Sequence, residues 1–247
     1  MAGYSSIQNV RLTVSDDDYT ANSFAMINNT SVFNETDNPT INGVYDPRLG
    51  PISNKFSCMT CGKFQKDCPG HRGHIPLNVG VIIPIAILDV RRWLKVICLK
   101  CGHSIIDTTK GTLNLKEVGA TDTGGKVCPQ CHAVHPKVIK NKDDYFTFSI
   151  LESGETEARD LYPDEIQQMF ERITDDTVKA YGKRVSVHPK KLIMHQLPVA
   201  SNAIRPGSKS YTGIGTNHND TTNILQTIID LNNKLKNVNL LTDEITP

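Results

Sequence analysis

The sequence lacks a long hydrophobic run, and its first residues lack the features of a secretion signal. The longest apolar stretch, VGVIIPIAILDV, is interrupted by Pro84 and followed by Arg91 and Arg92, whereas a membrane-spanning helix needs about 20 apolar residues. The opening MAGYSSIQNV has neither the basic nor the apolar segment of a signal peptide. We therefore expect an intracellular protein that does not enter a membrane.

An excess of charge of one sign is also missing. The chain has 27 Lys and Arg residues against 26 Asp and Glu residues, a formal net charge of +1. Such a chain has no overall attraction to polyanions, so any contact with nucleic acid must come from local clusters. Its 247 residues suffice for one large or two small domains.

Cysteine is well represented, and it occurs in closely spaced groups. The segment SCMTCGKFQKDCPGH combines a CxxC pair with a CPGH turn, and two further CxxC pairs, CLKC and CPQC, follow it. A pair of thiolates on one tight turn is typical of a tetrahedral zinc site, and two such pairs around a long insertion are typical of a zinc ribbon. The pattern predicts two zinc ions with these ligand sets: Cys58, Cys61, Cys68 and His71; and Cys98, Cys101, Cys128 and Cys131.

Disulfide bonds are the main alternative for these cysteines. They need an oxidising compartment, and the cysteine count of 7 is odd, whereas His71 completes the first zinc set without leaving a spare thiol. Sites with four protein ligands have no open position for water or substrate. We therefore expect structural zinc ions, which stabilise loops that bury little apolar surface, and not catalytic ones.

Other histidines remain as alternative ligands. His74 is the strongest of them, because the sequence HRGH allows either imidazole to turn inward, although only His71 directly follows the turn of the third cysteine. His188 and His195 are interpreted as ordinary loop or core residues. The remaining histidines near the predicted ligands are His103, His132 and His135.

Apolar periodicity predicts the helices. A helix from Pro84 is expected to lead directly to the CLKC motif, and Pro163 opens a second helix. Thr174 or Asp175 caps a third, which Gly182 ends. A last helix follows a passage rich in Gly and Pro, and its apolar stripe is expected to face a partner surface. The apolar residues that define the first, second and last of these helices are Ile87, Val90, Leu94 and Ile97; Ile166, Met169, Phe170 and Ile173; and Ile224, Ile228, Leu231 and Leu235.

Strand and turn signals are weaker. The segment YDPRLGP is predicted to be a turn, and Phe146 and Phe148 indicate a strand. The lysines before that strand are expected in an exposed segment. Weak alternation at Ile7, Val10, Leu12 and Val14 predicts one or two further strands near the start of the chain, followed by an Asn- and Thr-rich polar connection.

Two charged groups have simple interpretations. Asp16, Asp17 and Asp18 form an acidic run, but consecutive carboxylates on a strand point in different directions, so the run is interpreted as a solvated turn or cap. Arg91 and Arg92 lie on the polar side of the helix predicted from Pro84. A solvated helix face is favoured for them over contact with nucleic acid or a neighbouring subunit.

Several motifs occur together in an order that resembles the N-terminal region of the largest subunit of multisubunit DNA-directed RNA polymerases. YDPRLG followed by CMTC, CPGH and RGHI resembles that family's clamp-core signature, and CLKCG and CPQC resemble the zinc knuckles of its clamp head. PDEIQQMFERITDDTVKAYG, HPKKLIMHQLPV and the IRP element at 204–206 resemble its return from clamp head to clamp core. The resemblance extends from about residue 7 to near the end of the chain.

The resemblance implies an α+β fold, with an irregular zinc-stabilised clamp core and clamp head that contain short helices and small antiparallel sheets. Residues 1–97 would form the first part of the clamp core with one zinc site, and residues 98–160 the clamp head with the ribbon-like second site. Residues 161–247 would return to the clamp core, with a lid-like loop at 208–220 and a terminal helix. The family's clamp closes over DNA and the RNA–DNA hybrid, and the candidates for phosphate contacts are Lys137, Lys140, Lys142 and Arg205.

The same resemblance implies a subunit or fragment of a nucleotidyltransferase that is inactive alone. The family's NADFDGD-type aspartates, which hold catalytic magnesium, do not occur in this sequence. No catalytic residue is therefore assigned, and magnesium is expected only in the assembled polymerase. The implied partners are the second-largest subunit, the rest of the largest subunit, the DNA template and the RNA–DNA hybrid.

The sequence departs from the family pattern in two places. The prolines that usually precede the IRP element are replaced by residues 199–203, VASNA, which leaves the stiffness of that passage open. The long insertions of some clamp heads are missing, and this compactness, together with RRWLKVICLKC, resembles the polymerases of large DNA viruses more than nuclear ones. A viral form would work in the virion or the host cytoplasm, and another form in the nucleus.

Two other functions fit parts of the sequence. A free-standing zinc-binding adaptor for nucleic acid or proteins would need no catalytic aspartates, but it leaves the order of the polymerase-like motifs without an explanation. A zinc hydrolase needs an open metal position and a nearby general base, and neither ligand set provides them.

Overall fold

The computed structural model describes residues 15–109, 111–140, 147–206, 208–209 and 216–243 of the chain. Short helices and small sheets follow one another, which confirms the mixed α and β fold. The helices are α1 (Asp16–Ala21), α2 (Ile87–Val96), α3 (Leu115–Val118), α4 (Pro163–Glu171), α5 (Asp175–Ala180) and α6 (Asp220–Asp243). The strands are β1 (Ala25–Met26), β2 (Gly73–Ile82), β3 (Lys137–Lys140), β4 (Phe148–Leu151), β5 (Arg159–Leu161), β6 (Ile193–Val199), β7 (Ser208–Lys209) and β8 (Thr216–Asn217).

The described strands form three small sheets, with the orders β1-β2-β6, β3-β4-β5 and β7-β8. The second and third sheets are antiparallel, as expected. In the first sheet, however, β1 runs parallel to β2. None of the described helices has the length and hydrophobicity to span a bilayer.

The chain folds into two compact units. The first, which we call the insert unit, contains the described residue Ser15 and the continuous segment 79–194. The second, which we call the split unit, contains the described residues of 16–78 and 195–247. These bounds differ from those of the three regions expected from the polymerase family, 1–97, 98–160 and 161–247, and that division remains a prediction.

The core of the insert unit collects apolar side chains from several strands and helices. Val90 and Leu94 on α2, Phe148 on β4, and Ile166 and Phe170 on α4 are fully buried in one cluster. Each such side chain stabilises the fold by about 1.5–3 kcal/mol relative to an exposed one. The helix predicted from Pro84 is confirmed, since a 3₁₀ turn at Pro84–Ala86 leads directly into α2. The residues that predicted it are all buried, namely Ile87, Val90, Leu94 and Ile97.

The starts predicted for the next two helices are also confirmed, with Pro163 as the first residue of α4 and Thr174 as the cap of α5. At the start of α4, the carboxylate of Glu165 accepts a hydrogen bond from the backbone N–H of Tyr162 at 3.1 Å. The hydroxyl of Thr174 accepts one from the backbone N–H of Thr177 at 3.3 Å, which caps α5. Gly182 follows α5 with a φ of +66°, a conformation that glycine adopts without a steric penalty.

The lysine-containing segment before Phe148 differs from its prediction. Residues 137–140 were expected to be an exposed segment, but they form β3 and pair with β4. The sequence KVIK did not indicate this strand, because it has only two apolar residues and a lysine at each end. Phe146 lies outside the described residues, as does the strand predicted from the apolar residues Ile7, Val10, Leu12 and Val14.

The split unit has its own apolar core around β2 and α6. Ile27, Ile75 and Ile229 are buried there, together with Tyr45 and Leu49 of the YDPRLG motif. That motif forms the tight turn predicted for it, a 3₁₀ turn at Pro47–Leu49 with Asp46 as its N-cap. The acidic run begins α1, where the Asp16 carboxylate accepts hydrogen bonds from the backbone N–H groups of residues 195 and 196 at 2.9 and 3.1 Å.

The last predicted helix, α6, packs into the split unit with a face other than the apolar stripe seen in the sequence. Leu225 and Ile229 are buried, and Asn232 bonds to Pro76 and Asn78 on β2. The apolar stripe seen in the sequence stays exposed, with Ile224 at 59%, Leu231 at 54% and Leu235 at 40%. That this stripe faces a partner remains a prediction.

Two leucines on α2 test the packing of the insert unit. Leu94→Ala should lower the free energy of unfolding by about 2–5 kcal/mol, because Leu94 is fully buried and its removal leaves a cavity. Leu88→Ala on the same helix should change it by less than about 0.5 kcal/mol, because Leu88 is 54% exposed. Urea denaturation of both variants provides the measurement. Equal effects at the two positions would contradict this packing.

Candidate metal centres

Both predicted ligand sets converge. In each set the four ligand atoms lie within 4.8 Å of one another. We call Cys58, Cys61, Cys68 and His71, in the split unit, the first cluster, and Cys98, Cys101, Cys128 and Cys131, in the insert unit, the second cluster.

The sulfur atoms have the spacing of metal ligands. Cys61 and Cys68 lie 3.6 Å apart at their Sγ atoms, and the pairs Cys98–Cys131 and Cys101–Cys128 lie 3.5 and 3.6 Å apart. A tetrahedral zinc ion with Zn–S bonds of about 2.3 Å separates its sulfur ligands by about 3.8 Å, whereas a disulfide bond is about 2.05 Å long. All seven cysteines are free thiols.

Three CxxC loops repeat one backbone structure. In the first, the N–H of Cys58 donates to the carbonyl of Lys63 at 2.9 Å, and the N–H of Gly62 donates back to the carbonyl of Cys58 at 2.8 Å. The loop at Cys98 has the same two bonds, to His103 and from Gly102, both at 2.8 Å. The loop at Cys128 has them to Ala133 and from His132, at 2.9 and 3.0 Å. The same pair of backbone hydrogen bonds thus closes each loop around its two cysteines.

The residue after the second cysteine has a positive φ in every one of these loops. Gly62 and Gly102 have φ angles of 70° and 76°, and His132 has 56°. A Cβ atom added to Gly62 would meet nothing within 4 Å, but one added to Gly102 would lie 2.3 Å from the carbonyl oxygen of Arg172. The second loop therefore needs glycine for space as well as for its φ.

The thiols of each cluster differ in acidity. The neighbouring His71 lowers the pKa of Cys61 to about 6, whereas burial raises the pKa of Cys68 to about 11. In the second cluster, the backbone N–H of Ala133 lowers the pKa of Cys131 to about 7, and burial raises the pKa of Cys101 to about 12. Electrostatic repulsion disfavours several thiolates side by side, and a bound divalent cation offsets that repulsion, so that the thiols lose their protons when the metal binds.

His71 provides a further sign that the first cluster fits a metal. Its Nε2 atom is buried and has no hydrogen-bond partner, which costs free energy unless a ligand satisfies the atom. Its backbone N–H is fixed to the carbonyl of Leu49 at 3.1 Å, and the ring of Phe24 packs edge-on at 4.9 Å. Three thiolates with one imidazole, and four thiolates, are both donor sets that zinc prefers.

The alternative histidines lie outside the two clusters. His74 bonds through Nδ1 to the hydroxyl of Ser23 at 2.7 Å, and His103 and His132 are exposed. His135 is buried, and its Nε2 lies 3.1 and 2.9 Å from the carbonyl oxygens of Leu94 and Ile97, so Nε2–H donates to them. The other two histidines have the ordinary settings expected, since His188 is buried against the carbonyl of Ile173 and His195 lies near Asp16.

The four candidates for phosphate contacts have different settings. Lys137 is exposed at the start of β3 and Lys140 is half-buried at its end. Residues three apart on a strand point to opposite faces, so these two lysines do not form one patch. Lys142 lies outside the described residues. Arg205 is only 2% exposed, which favours a role inside the protein.

Arg91 and Arg92 are both half-buried on α2. Arg92 pairs with Asp89 at 2.6 Å.

Asn202 is a buried residue that the sequence analysis did not single out. It is 2% exposed, and its side chain donates hydrogen bonds to both ends of the YDPRLG turn. Its partners are backbone carbonyls far away along the chain, and no local pattern indicates such contacts.

Substitutions after the second cysteine test the repeated loop. Gly62→Ala should destabilise the metal-loaded protein by about 1–2 kcal/mol, the cost of a positive φ for an L-residue. Gly102→Ala should cost more, because it adds a clash with Arg172. His132→Gly should stabilise the protein by up to about 1 kcal/mol, since the relieved strain exceeds the added chain entropy. Urea unfolding ranks the three variants, and a Gly102→Ala variant as stable as Gly62→Ala would contradict the expected clash.

Known proteins match the chain along most of its length. The family described as RNA polymerase Rpb1, domain 1, matches residues 4–244. The DNA-directed RNA polymerase RPB1 homolog of African swine fever virus (isolate Warthog/Namibia/Wart80/1980) is 35% identical over 238 residues, which cover 94% of this chain and 16% of the relative.

More distant relatives come from another virus and from an archaeon. The probable DNA-directed RNA polymerase II subunit RPB1 homolog of Invertebrate iridescent virus 6 is 31% identical, covering 80% of this chain and 21% of the relative. The DNA-directed RNA polymerase subunit Rpo1N of Methanothermobacter thermautotrophicus is 29% identical, covering 90% and 27%. The chain thus spans 16 to 27% of the length of these relatives. The expected resemblance, with its preference for viral forms, is confirmed: the chain belongs to the family of RNA polymerase Rpb1, domain 1, the N-terminal region of the largest polymerase subunit.

Proposed function

We propose that this chain is the clamp region of a DNA-directed RNA polymerase and holds the DNA template and the RNA–DNA hybrid during transcription. The observation that carries this proposal is the match of residues 4–244 to the first domain of the largest subunit, within which two four-ligand clusters converge. A clamp must move as a rigid body to transmit motion. Each compact unit of this chain contains one cluster. Cross-linking of short loops by metal ions would supply the stiffness that this role needs.

Zinc is the metal that we propose for both clusters. The first cluster would hold it through three sulfurs and the buried nitrogen of His71, and the second through four sulfurs. When bound, the ions contribute folding free energy and no reaction chemistry, because four protein ligands fill the coordination sphere. The residues of this chain hold the loops in place, and none of them is proposed to be catalytic.

The nucleotidyl transfer itself is proposed to belong to the assembled enzyme. Magnesium would bind there to carboxylates outside this chain, and the partners would be the rest of the largest subunit and the second-largest subunit. A viral polymerase would place the chain in the virion or the host cytoplasm, and another polymerase in the nucleus. A chain that copurifies with zinc but with no polymerase subunit would favour the zinc-binding adaptor instead.

Nucleic acid is proposed to be held through its phosphates. Lys137 is the exposed candidate, with Lys140 and Lys142 following it. Contacts of lysine with phosphates are independent of base sequence and weaken with salt. Arg205 does not belong to this proposed surface because its guanidinium is buried.

Loss of one thiol should remove one metal ion. Cys58→Ser should reduce the bound zinc from about two ions per chain to about one, because each cluster supplies its own four ligands. Cys131→Ser is the matched change in the other cluster, and Cys58→Ser with Cys131→Ser should remove both ions. Elemental analysis of the purified proteins measures this. Two zinc ions retained in Cys58→Ser would contradict the proposed ligand set.

Neutralising the three lysines should reduce the salt dependence of DNA retention by the assembled polymerase. Each lost phosphate contact reduces the magnitude of the slope of log K against log salt by about 0.9. Because Lys137 and Lys140 point to opposite faces of β3, the variant with Lys137→Gln, Lys140→Gln and Lys142→Gln should reduce that magnitude by about 0.9 to 1.8. Lys116→Gln, at an exposed position on α3, is the control. Filter binding across a salt series gives the slope, and an unchanged slope would dismiss these lysines as contacts.

A further inference from the structure

The turn within the YDPRLG motif contacts three parts of the first cluster. The carbonyl of Leu49 accepts the backbone N–H of His71 at 3.1 Å, and the carbonyl of Arg48 accepts the hydroxyl of Thr60, inside the CxxC loop, at 2.7 Å. A Cβ atom added to Gly50 would lie 3.6 Å from the sulfur of Cys68. The conformation of this turn therefore sets where the ligands lie.

Asn202 holds the turn from the opposite side. Its Nδ2 atom donates to the carbonyl oxygens of Asp46 and Gly50, at 3.0 and 2.6 Å, which are the two ends of the turn. The neighbouring Ser201 packs on Gly70, where an added Cβ atom would lie 2.5 Å from the Ser201 hydroxyl. One short segment after β6 thus contacts both the turn and the CPGH loop, which carries Cys68 and His71.

Arg205 connects that segment to the first turn of α6. Its guanidinium donates to the side-chain oxygen of Asn202 at 3.2 Å and to the hydroxyl of Thr222 at 3.2 Å. It also donates to the carbonyls of Val44 and Ala200, at 2.9 and 3.1 Å, and lies 5.8 Å from the centre of the Tyr45 ring.

Among the described residues, the groups that accept hydrogen bonds from Arg205 are all neutral. A buried cation is costly unless it is fully hydrogen-bonded, and burial lowers the pKa of Arg205. Arginine can satisfy several separate acceptors because its five N–H groups form a fixed planar fork, which a lysine ammonium cannot imitate. The positions of these acceptors are therefore coupled through the guanidinium, because displacing one acceptor leaves a buried N–H group of Arg205 without a partner.

We propose that Asn202 and Arg205 are positioning residues that couple the first cluster to the start of α6. The inference rests on the proposed binding of zinc at that cluster. Metal at the cluster fixes the turn, the turn fixes Asn202, and Asn202 with Arg205 fixes Thr222. Because coupling between two sites is reciprocal, a loosened start of α6 weakens metal binding at the first cluster, and loss of that metal loosens α6.

Metal affinity measured cluster by cluster tests the coupling in the direction from α6 to the metal. The full chain is loaded with cobalt(II), whose visible spectrum distinguishes a site with three sulfurs and one nitrogen from a site with four sulfurs, and is titrated with a chelator. Thr222→Val and Arg205→Met should weaken binding at the first cluster about tenfold, within the usual range of such coupling. The second cluster is the internal control and should not change.

Conservative variants separate positioning from general destabilisation. Thr222→Ser keeps the hydroxyl and should retain the affinity of the unchanged chain, and Thr227→Val, on the exposed side of α6, should do the same. Arg205→Lys keeps the charge but loses the fork, so it should bind metal as weakly as Arg205→Met. Equal affinity of the first cluster in Thr222→Val and Thr222→Ser would overturn the inference, even if an Arg205 variant failed to fold.

Amide hydrogen exchange tests the opposite direction. Cys61→Ser, which removes a ligand of the first cluster, should speed exchange in the segment 222–232 of α6 about tenfold, whereas Cys131→Ser should leave that segment unchanged. In the presence of Arg205→Met, Cys61→Ser should add nothing further. If Cys61→Ser and Cys131→Ser affect α6 alike, the inference is wrong while the zinc proposal stands. An unchanged chain that binds metal at the second cluster alone would overturn the zinc proposal and this inference with it.

Discussion

The two clusters depend on one constraint, the reversal of the chain around a pair of sulfur atoms. In all three CxxC loops the first cysteine both donates and accepts a backbone hydrogen bond across the loop, and the residue after the second cysteine takes a positive φ. The loops bury little apolar surface of their own. Around the second cluster the buried apolar group consists only of Cys98, Ile105 and Cys128 among the described residues. Metal coordination can replace a core of that size, because binding free energy then becomes folding free energy.

Each cluster is joined to an apolar core by hydrogen bonds to backbone carbonyls. The first cluster is attached through Arg48 and Leu49 to the core of the split unit. In the insert unit, His135 donates to the carbonyls at the end of α2, and the guanidinium of Arg172 reaches the carbonyl of Lys100 at 3.1 Å. Carbonyl groups at helix ends and in turns lack partners of their own. These contacts therefore satisfy the backbone and fix the loops together.

Much of the fold and of the candidate site is predictable from the sequence, because its signals are local. CxxC and CPGH bring ligands together within a few residues, and the helices α2, α4 and α5 combine apolar periodicity with a proline or a capping side chain at the start. The least predictable features depend on distant contacts. Arg205 precedes a proline in a polar passage, and this sequence context suggests an exposed side chain. The side chain is instead buried, and its hydrogen-bond acceptors include Val44 and Thr222. The sequence of α6 contains two apolar faces, and periodicity alone does not say which of them is covered.

Two asparagines, Asn232 on α6 and Asn78 on β2, fix the orientation of α6. Asn232 accepts from the backbone N–H of Asn78 and donates to the carbonyl of Pro76, while the side chain of Asn78 donates to the carbonyl of Asn232, at 2.8, 2.9 and 2.7 Å. Apolar packing alone tolerates small rotations and slips of a helix, since it has no preferred direction. Three directed bonds at one position allow only one azimuth about the helix axis and one axial setting. The pair therefore fixes the rotation and the axial position of α6 against β2. As a result, the exposed stripe with Ile224 and Leu231 has the same orientation in every copy of the molecule.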